Sequence, residues 1–168
     1  MTAITVTNTE WTILNAIDTA LTGATISAAT VFKSVTVTTS DEQARQAQMT
    51  ADTGNYPLAI IRFVNTTQYD SPESYRGCLL EVELILATRV GPAKDQAAHV
   101  QEALRLTNAA KNAVEAGTIT GAHSWGDEND WHEKFEWGQP ELDTDETTWT
   151  VAKLPLIVSF SIASPTSH

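Results

Sequence analysis

Cysteine is almost missing from this chain of 168 residues: Cys78 stands alone. No intrachain disulfide can form, so the small disulfide-built scaffolds are excluded and the fold must rest on its core. Cys78 lies in an apolar run, where a free thiol is commonly buried and inert; a reducing compartment fits. Basic residues are scarce too, ten Lys and Arg against 21 Asp and Glu, for a formal net charge of −11. A grip on nucleic acid needs clustered cations to displace counterions from phosphate. The ten here are scattered, and a surface of this sign repels DNA. Long apolar runs are also lacking. None approaches the roughly 20 residues of a spanning helix, so no membrane partner is expected. Met1 to Thr9 has neither the basic nor the apolar region of a secretion signal. No Gly-x-Ser-x-Gly elbow and no phosphate-cradling glycine loop occurs, so two common signatures of nucleophilic and phosphoryl chemistry are absent.

Against that background one stretch stands out. Trp125 to Trp149 holds nine acids (Asp127, Glu128, Asp130, Glu133, Glu136, Glu141, Asp143, Asp145 and Glu146) and one base, Lys134. It also holds four of the five tryptophans, with Phe135 among them. The sharp chemical readings fail there on spacing. His132-Glu133-Lys134-Phe135-Glu136 opens like a zinc-protease helix, but the second His required at the fifth place is Glu136. On a strand the two ends stand about 13 Å apart and cannot share an ion. Asp127-Glu128-Asn129-Asp130 offers hard oxygens. Trp131 and His132 then occupy the fifth and sixth places, where a hand-type calcium loop needs an oxygen ligand and glycine. Paired carboxylates beside aromatic platforms suit glycoside hydrolysis, yet nothing in the sequence fixes their separation. No metal, cofactor or catalytic group is assigned.

What the stretch carries is alternation. Trp131, Phe135 and Trp137 oppose Asp130, His132, Lys134 and Glu136, with Glu133 the exception on the aromatic side. Trp149 and Val151 then face the same way on the next strand, forming aromatic cross-strand pairs. Gly138 to Glu146, with Pro140 and four acids, is the connection. The expectation is a C-terminal β-hairpin whose aromatic face is buried in the core or between subunits, and whose acids face solvent.

Elsewhere, Thr7-Asn8-Thr9-Glu10 fits a capping box, and Ile13, Leu14, Ile17 and Leu21 recur at helical spacing up to Gly23. Thr30 to Thr39 reads as a strand with Val31, Val35 and Val37 on one face. Ser40 to Gln43 suggests a second cap and a short polar helix to about Met49. Leu58 to Asn65 is apolar at nearly every position, as a strand covered on both faces is. Thr66 to Gly77 is a polar loop carrying Tyr69 and Tyr75. Cys78 to Val90 alternates Leu80, Val82, Leu84 and Leu86 against Glu81, Glu83 and Arg89, with Ile85 between them. Gly91-Pro92 breaks it. A long helix follows over about 93–116, its face marked by Ala97, Val100, Leu104, Thr107 and Val114, its stop by Gly117. His99 is expected in solvent. Ile119 to Trp125 allows a short strand. Apolar positions change parity around Lys153 to Pro155, from Trp149 and Val151 to Leu156, Val158, Phe160 and Ile162, which predicts a bulge or break. The sum is a single α+β domain over 1–168: a mostly antiparallel sheet with the long helix and the N-terminal helix packed on it, plus the C-terminal hairpin.

This order of elements resembles that of the tail terminator (tail-completion) proteins of long-tailed bacteriophages. The likeness runs from about Thr9 to Ile162 and is one of layout and residue character. It consists of the N-terminal helix, the strand pair around Val31 and Ile60, the long strand Leu79 to Val90, the helix Ala93 to Ala116 and the closing strands ending in Leu156-Ile157-Val158-Ser159-Phe160. The resemblance implies structural work without catalysis. Such subunits form a hexameric ring that caps the tail tube, ends its polymerisation and offers the joining surface for the head or neck. The implied partners are the chain itself, the tail tube protein and a head–tail connector or neck protein, with DNA only as passing cargo. The implied location is the virion tail, assembled in the host cytoplasm. Tyr69, Tyr75, Trp131, Phe135, Trp137 and Trp149 are then the candidate subunit or tube contacts. Asp127, Glu128, Asp130, Glu136, Glu141, Asp143, Asp145 and Glu146 are the candidate acidic lumen or solvent face. Thr39 to Tyr56 and Thr66 to Gly77 are candidate loops for meeting neighbouring rings. A neck or head–tail connector of similar fold is the first alternative. An acidic-cluster hydrolase and a carbohydrate-binding module, from other classes, are the others.

Overall fold

The computed structural model describes residues 9–38, 56–70, 75–89, 96–116, 118–119, 123–124, 134–144 and 149–163. Helix α1 spans Thr9–Thr22. Its Ile13, Leu14, Ile17 and Leu21 are all buried, as their spacing requires. The Gly23 N–H donates to the Thr19 carbonyl at 3.1 Å and ends the helix. The capping residue Thr7 and the short helix expected over 41–49 lie outside the described residues.

After α1 comes a small antiparallel hairpin, β1 (Thr25–Ile26) and β2 (Ala29–Thr30). Its two-residue loop holds Ser27 at φ 50° and Ala28 at φ 65°. Both are left-handed, the geometry that Asn-Gly supplies without steric conflict. For residues bearing a Cβ it costs about 1 kcal/mol or more each. Changing Ser27→Asn together with Ala28→Gly should therefore raise unfolding stability by about 1 kcal/mol, read as a higher urea midpoint at unchanged slope. An unchanged or lower midpoint would contradict the strained turn.

Among the described residues the main sheet has six strands: β3 (Ser34–Thr38), β4 (Leu58–Asp70), β5 (Tyr75–Arg89), β8 (Lys134–Trp137), β9 (Glu141–Thr144) and β10 (Trp149–Ala163). Their order is β3-β4-β5-β10, and both β8 and β9 lie along the far side of β10. All pairs are antiparallel except β3 with β4, which run parallel. Helix α2 spans Gln96–Glu115, within the expected 93–116. It leads to a second small hairpin, β6 (Thr118–Ile119) with β7 (His123–Ser124).

Both helices lie on one face of the sheet. The core there joins Ile13, Ile17 and Leu21 of α1 and Leu106, Ala110 and Val114 of α2 to Ile61, Leu80, Val82, Leu84, Leu86, Leu154, Leu156, Val158 and Phe160. This is an α+β domain of the kind the pattern predicts. The opposite face carries a smaller apolar cluster of Tyr56, Leu58, Ile60, Ile85, Ala87 and Val151. Beside it Arg62 and Glu83, register partners, form an ion pair at 3.0 Å. Leu58 to Ile61 are thus buried on both faces alternately, as the continuous apolar run implied.

Several expectations change. Thr66 to Gly77 is no polar loop. Thr66 to Asp70 continues β4 and Tyr75 to Gly77 opens β5, so only 71–74 fall outside the described strands. A bulge between Phe63 and Asn65 re-phases β4 against β5 and leaves Val64 exposed. β10 has no bulge: its register with β5 is unbroken from Trp149↔Arg89 to Ala163↔Tyr75. The apparent parity switch arises because Val151 belongs to the second apolar cluster and Leu154, Leu156 and Val158 to the first. The extra residue sits on the neighbouring strand. Trp137 pairs with Leu156 and Glu141 with Lys153, so three residues, 138–140, oppose two, 154 and 155. Pro155 explains its place. In an antiparallel strand a residue's N–H and C=O point to the same side. The Pro155 carbonyl accepts from the Gly138 N–H at 2.9 Å, so the missing donor of Pro155 points at the bulge, where no ladder bond is needed.

Candidate functional site

The hairpin exists, with a different interior. β8 and β9 form one interrupted strand along β10, and β9 occupies much of the expected connection. Phe135 opposes Val158 and Trp137 opposes Leu156. Both rings are half-buried and pack on the helix-side core. The Trp137 Nε1–H donates to Glu115 Oε1 on α2 at 2.9 Å, and Lys111 Nζ stands 5.9 Å from the centre of the ring. One aromatic side chain therefore ties the edge strand to the last turns of α2.

Trp149 does not join them. It pairs with Arg89, seven residues along β10 from the Leu156–Trp137 pair, roughly 24 Å at strand rise. Val151 lies in the apolar cluster on the opposite face. The expected shared face of Phe135, Trp137, Trp149 and Val151 is thus not formed, because the unbroken β10 register keeps 151 on the far side. Tyr69 pairs with Gly77, and Tyr75 pairs with Ala163 at the other end of β10. Glu136 is exposed opposite Ile157, Glu141 is exposed opposite Lys153, and Asp143 pairs with Val151. Trp131, Asp127, Glu128, Asp130, Asp145 and Glu146 lie outside the described residues. So do His132 and Glu133. The described candidates are therefore distributed along the sheet from one end of β10 to the other.

One edge has clear physical character. β8–β9 is the outermost strand beside β10, and it carries a bulge, Pro140 and the exposed acids Glu136 and Glu141. These are the devices that discourage pairing with another chain's strand.

Two features escaped sequence reasoning. His99 is buried, 4% exposed, and its Nδ1 is 2.6 Å from Thr150 Oγ1; the expectation of a solvent-exposed ring is overturned. A groove of about 600 Å³ runs between α1, β1 and α2, lined by Thr19, Gly23, Thr25, Arg105, Asn108 and Asn112 with several alanines. Its lining has no carboxylate, histidine or thiol. Arg105 forks onto Glu102 at 2.5 and 3.0 Å. That hydrogen bond raises the guanidinium pKa above its ordinary value, with partial burial opposing. Among the described residues no three His, Cys, Asp or Glu side chains stand together as a metal set. The described geometry contains surfaces and ties between elements.

No protein-family model matches the chain, and no curated protein matches its sequence.

Proposed function

We propose that the protein is a structural subunit of a phage tail or related particle, a tail terminator that assembles as a ring, caps the tail tube and ends its growth. The observation that supports this reading best is the sheet. The described helices both cover one face, and β4, β5 and β10 run on together beyond the last described pairs of β3, at Arg62, and of β8, at Ser159. A helix-backed sheet is a rigid wall, and a three-stranded extension offers contacts in several directions without a separate domain. Tyr69 and Tyr75 lie on that extension, which suits them to contacts with a neighbouring subunit or with the tube. The net charge of −11 suits a conduit that lets DNA pass without holding it. The chain's work is then mechanical, with no chemical step. The partners are further copies of itself, the tube protein and a neck or head connector.

Light scattering coupled to size exclusion tests the reading. The expected mass is about six times 18.2 kDa, either alone or after mixing with the tube protein, whose polymers should stop lengthening when the chain is added. A mass of 18.2 kDa that persists at high concentration, together with tube growth indifferent to the chain, overturns it.

A further inference from the structure

The two halves of α2 are held to the sheet in unlike ways. From Leu106 to Val114 five of nine residues are buried: Leu106, Thr107, Ala109, Ala110 and Val114. From Ala97 to Arg105 only two of nine are, His99 and Ala103. The large apolar side chains of that first half, Val100 and Leu104, point away and are 39% and 45% exposed. Removal of apolar area from water is what fixes a helix to a sheet, so the first half is weakly attached. It sets against the sheet a hydrogen bond, His99 Nδ1 to Thr150 Oγ1, inside the protein. Thr150 and its register partner Thr88 are both buried. Of the helix's own buried side chains, lifting this half would wet only an imidazole and a methyl group, together with the Thr150 hydroxyl beneath them. Water satisfies the polar groups at little cost, whereas lifting the second half would wet Leu106 and Val114.

We infer that Ala97 to Arg105 is a separately opening segment of α2, latched by His99 on Thr150, while Leu106 to Val114 stays on the core. Such sub-global openings draw on regions with few buried apolar contacts. The latch is directional: a hydrogen bond of 2.6 Å fixes one rotation of the helix above Thr150, where alanines alone would let it slide. Because it depends on one chain only, the inference stands apart from the assembly reading.

Native-state hydrogen exchange on the whole protein tests this. Helix ends fray, so the comparison starts at Val100. Amides from Val100 to Arg105 should exchange at least about tenfold faster than those from Thr107 to Val114, with a weaker dependence on denaturant. His99→Ala should speed the first group roughly tenfold further and leave the second unchanged. His99→Leu combined with Thr150→Val replaces both partners by apolar groups and should slow the first group toward the second. Equal exchange of the two halves in the unaltered protein overturns the inference, as does His99→Ala accelerating both alike. Should His99→Ala fail to fold, the unaltered protein decides: first-half amides that follow the denaturant slope of global unfolding rule the segment out.

Discussion

Gly138→Ala should cost about 2 kcal/mol of unfolding stability, within the range for forcing an extra carbon into a packed site. A Cβ on Gly138 would lie 2.9 Å from Pro155 Cβ, 3.0 Å from its Cγ and 3.4 Å from its Cδ. The obstacle is a ring closed onto its own backbone, so no rotamer change removes it. The Gly138 N–H donates to the Pro155 carbonyl at 2.9 Å, so backing away also weakens the one bond that anchors the bulge. Pro155→Ala should be mild alone, since residue 155 is exposed. Combined with Gly138→Ala it should recover only part of the loss, because the Cγ at 3.0 Å and the Cδ at 3.4 Å are gone while the nearest contact, the Cβ at 2.9 Å, remains. A double-mutant cycle by urea denaturation reads that coupling. Additive effects, or a Gly138→Ala variant within about 0.5 kcal/mol of the parent, would show that the close approach carries no energetic weight.

This pair also shows what the sequence could and could not convey. The parity change in the last strand suggests a bulge or break there, but it reflects two apolar faces on an unbroken strand. Pro155 marks an irregularity without saying which strand bears it, because a proline's missing donor can be met by a break in its own strand or by a bulge in its neighbour. Leu80 to Leu86 and Ile13 to Leu21 were legible because large apolar side chains alternate sharply with polar ones. α2 was harder. Its alanines fit either face, so Val100 and Leu104 outweighed the true inner line of His99, Ala103, Leu106, Ala110 and Val114. A buried histidine on an alanine-rich helix leaves almost no trace in hydropathy. The register 99, 103, 106, 110, 114 is helical all the same, and asking which polar residue falls on it would have found His99. Thr66 to Gly77 misled for the opposite reason. Polar strands that outrun their neighbours look like loops, and their pairing depends on partners distant in sequence, Arg76 with Ile162 and Tyr75 with Ala163.

Trp137 separates a core role from a docking role for the aromatic strand. The ring is half-buried on the helix-side core, its N–H bonds Glu115, and Lys111 stands over it. Trp137→Ala removes all three contacts and should cost about 3 kcal/mol, the low end for a large aromatic because part of the ring is already wet. Trp137→Phe keeps the packing and loses the indole donor, for about 1 kcal/mol. Glu115→Gln keeps an accepting oxygen and should stay within about 0.5 kcal/mol. Lys111→Met removes the cation over the ring and should cost about 0.5 kcal/mol. Chemical denaturation followed by far-ultraviolet circular dichroism gives these values independently of Trp fluorescence. If Trp137 served mainly as an intersubunit contact, Trp137→Ala would lower the assembled mass and leave the unfolding midpoint of the dissociated chain unchanged. The contacts to α2 lie within one chain and require the midpoint to fall. The bond to Glu115 fixes the Trp137 indole against α2 of the same chain. In the ring proposed above, the external contacts would then fall to the strand extension that carries Tyr69 and Tyr75.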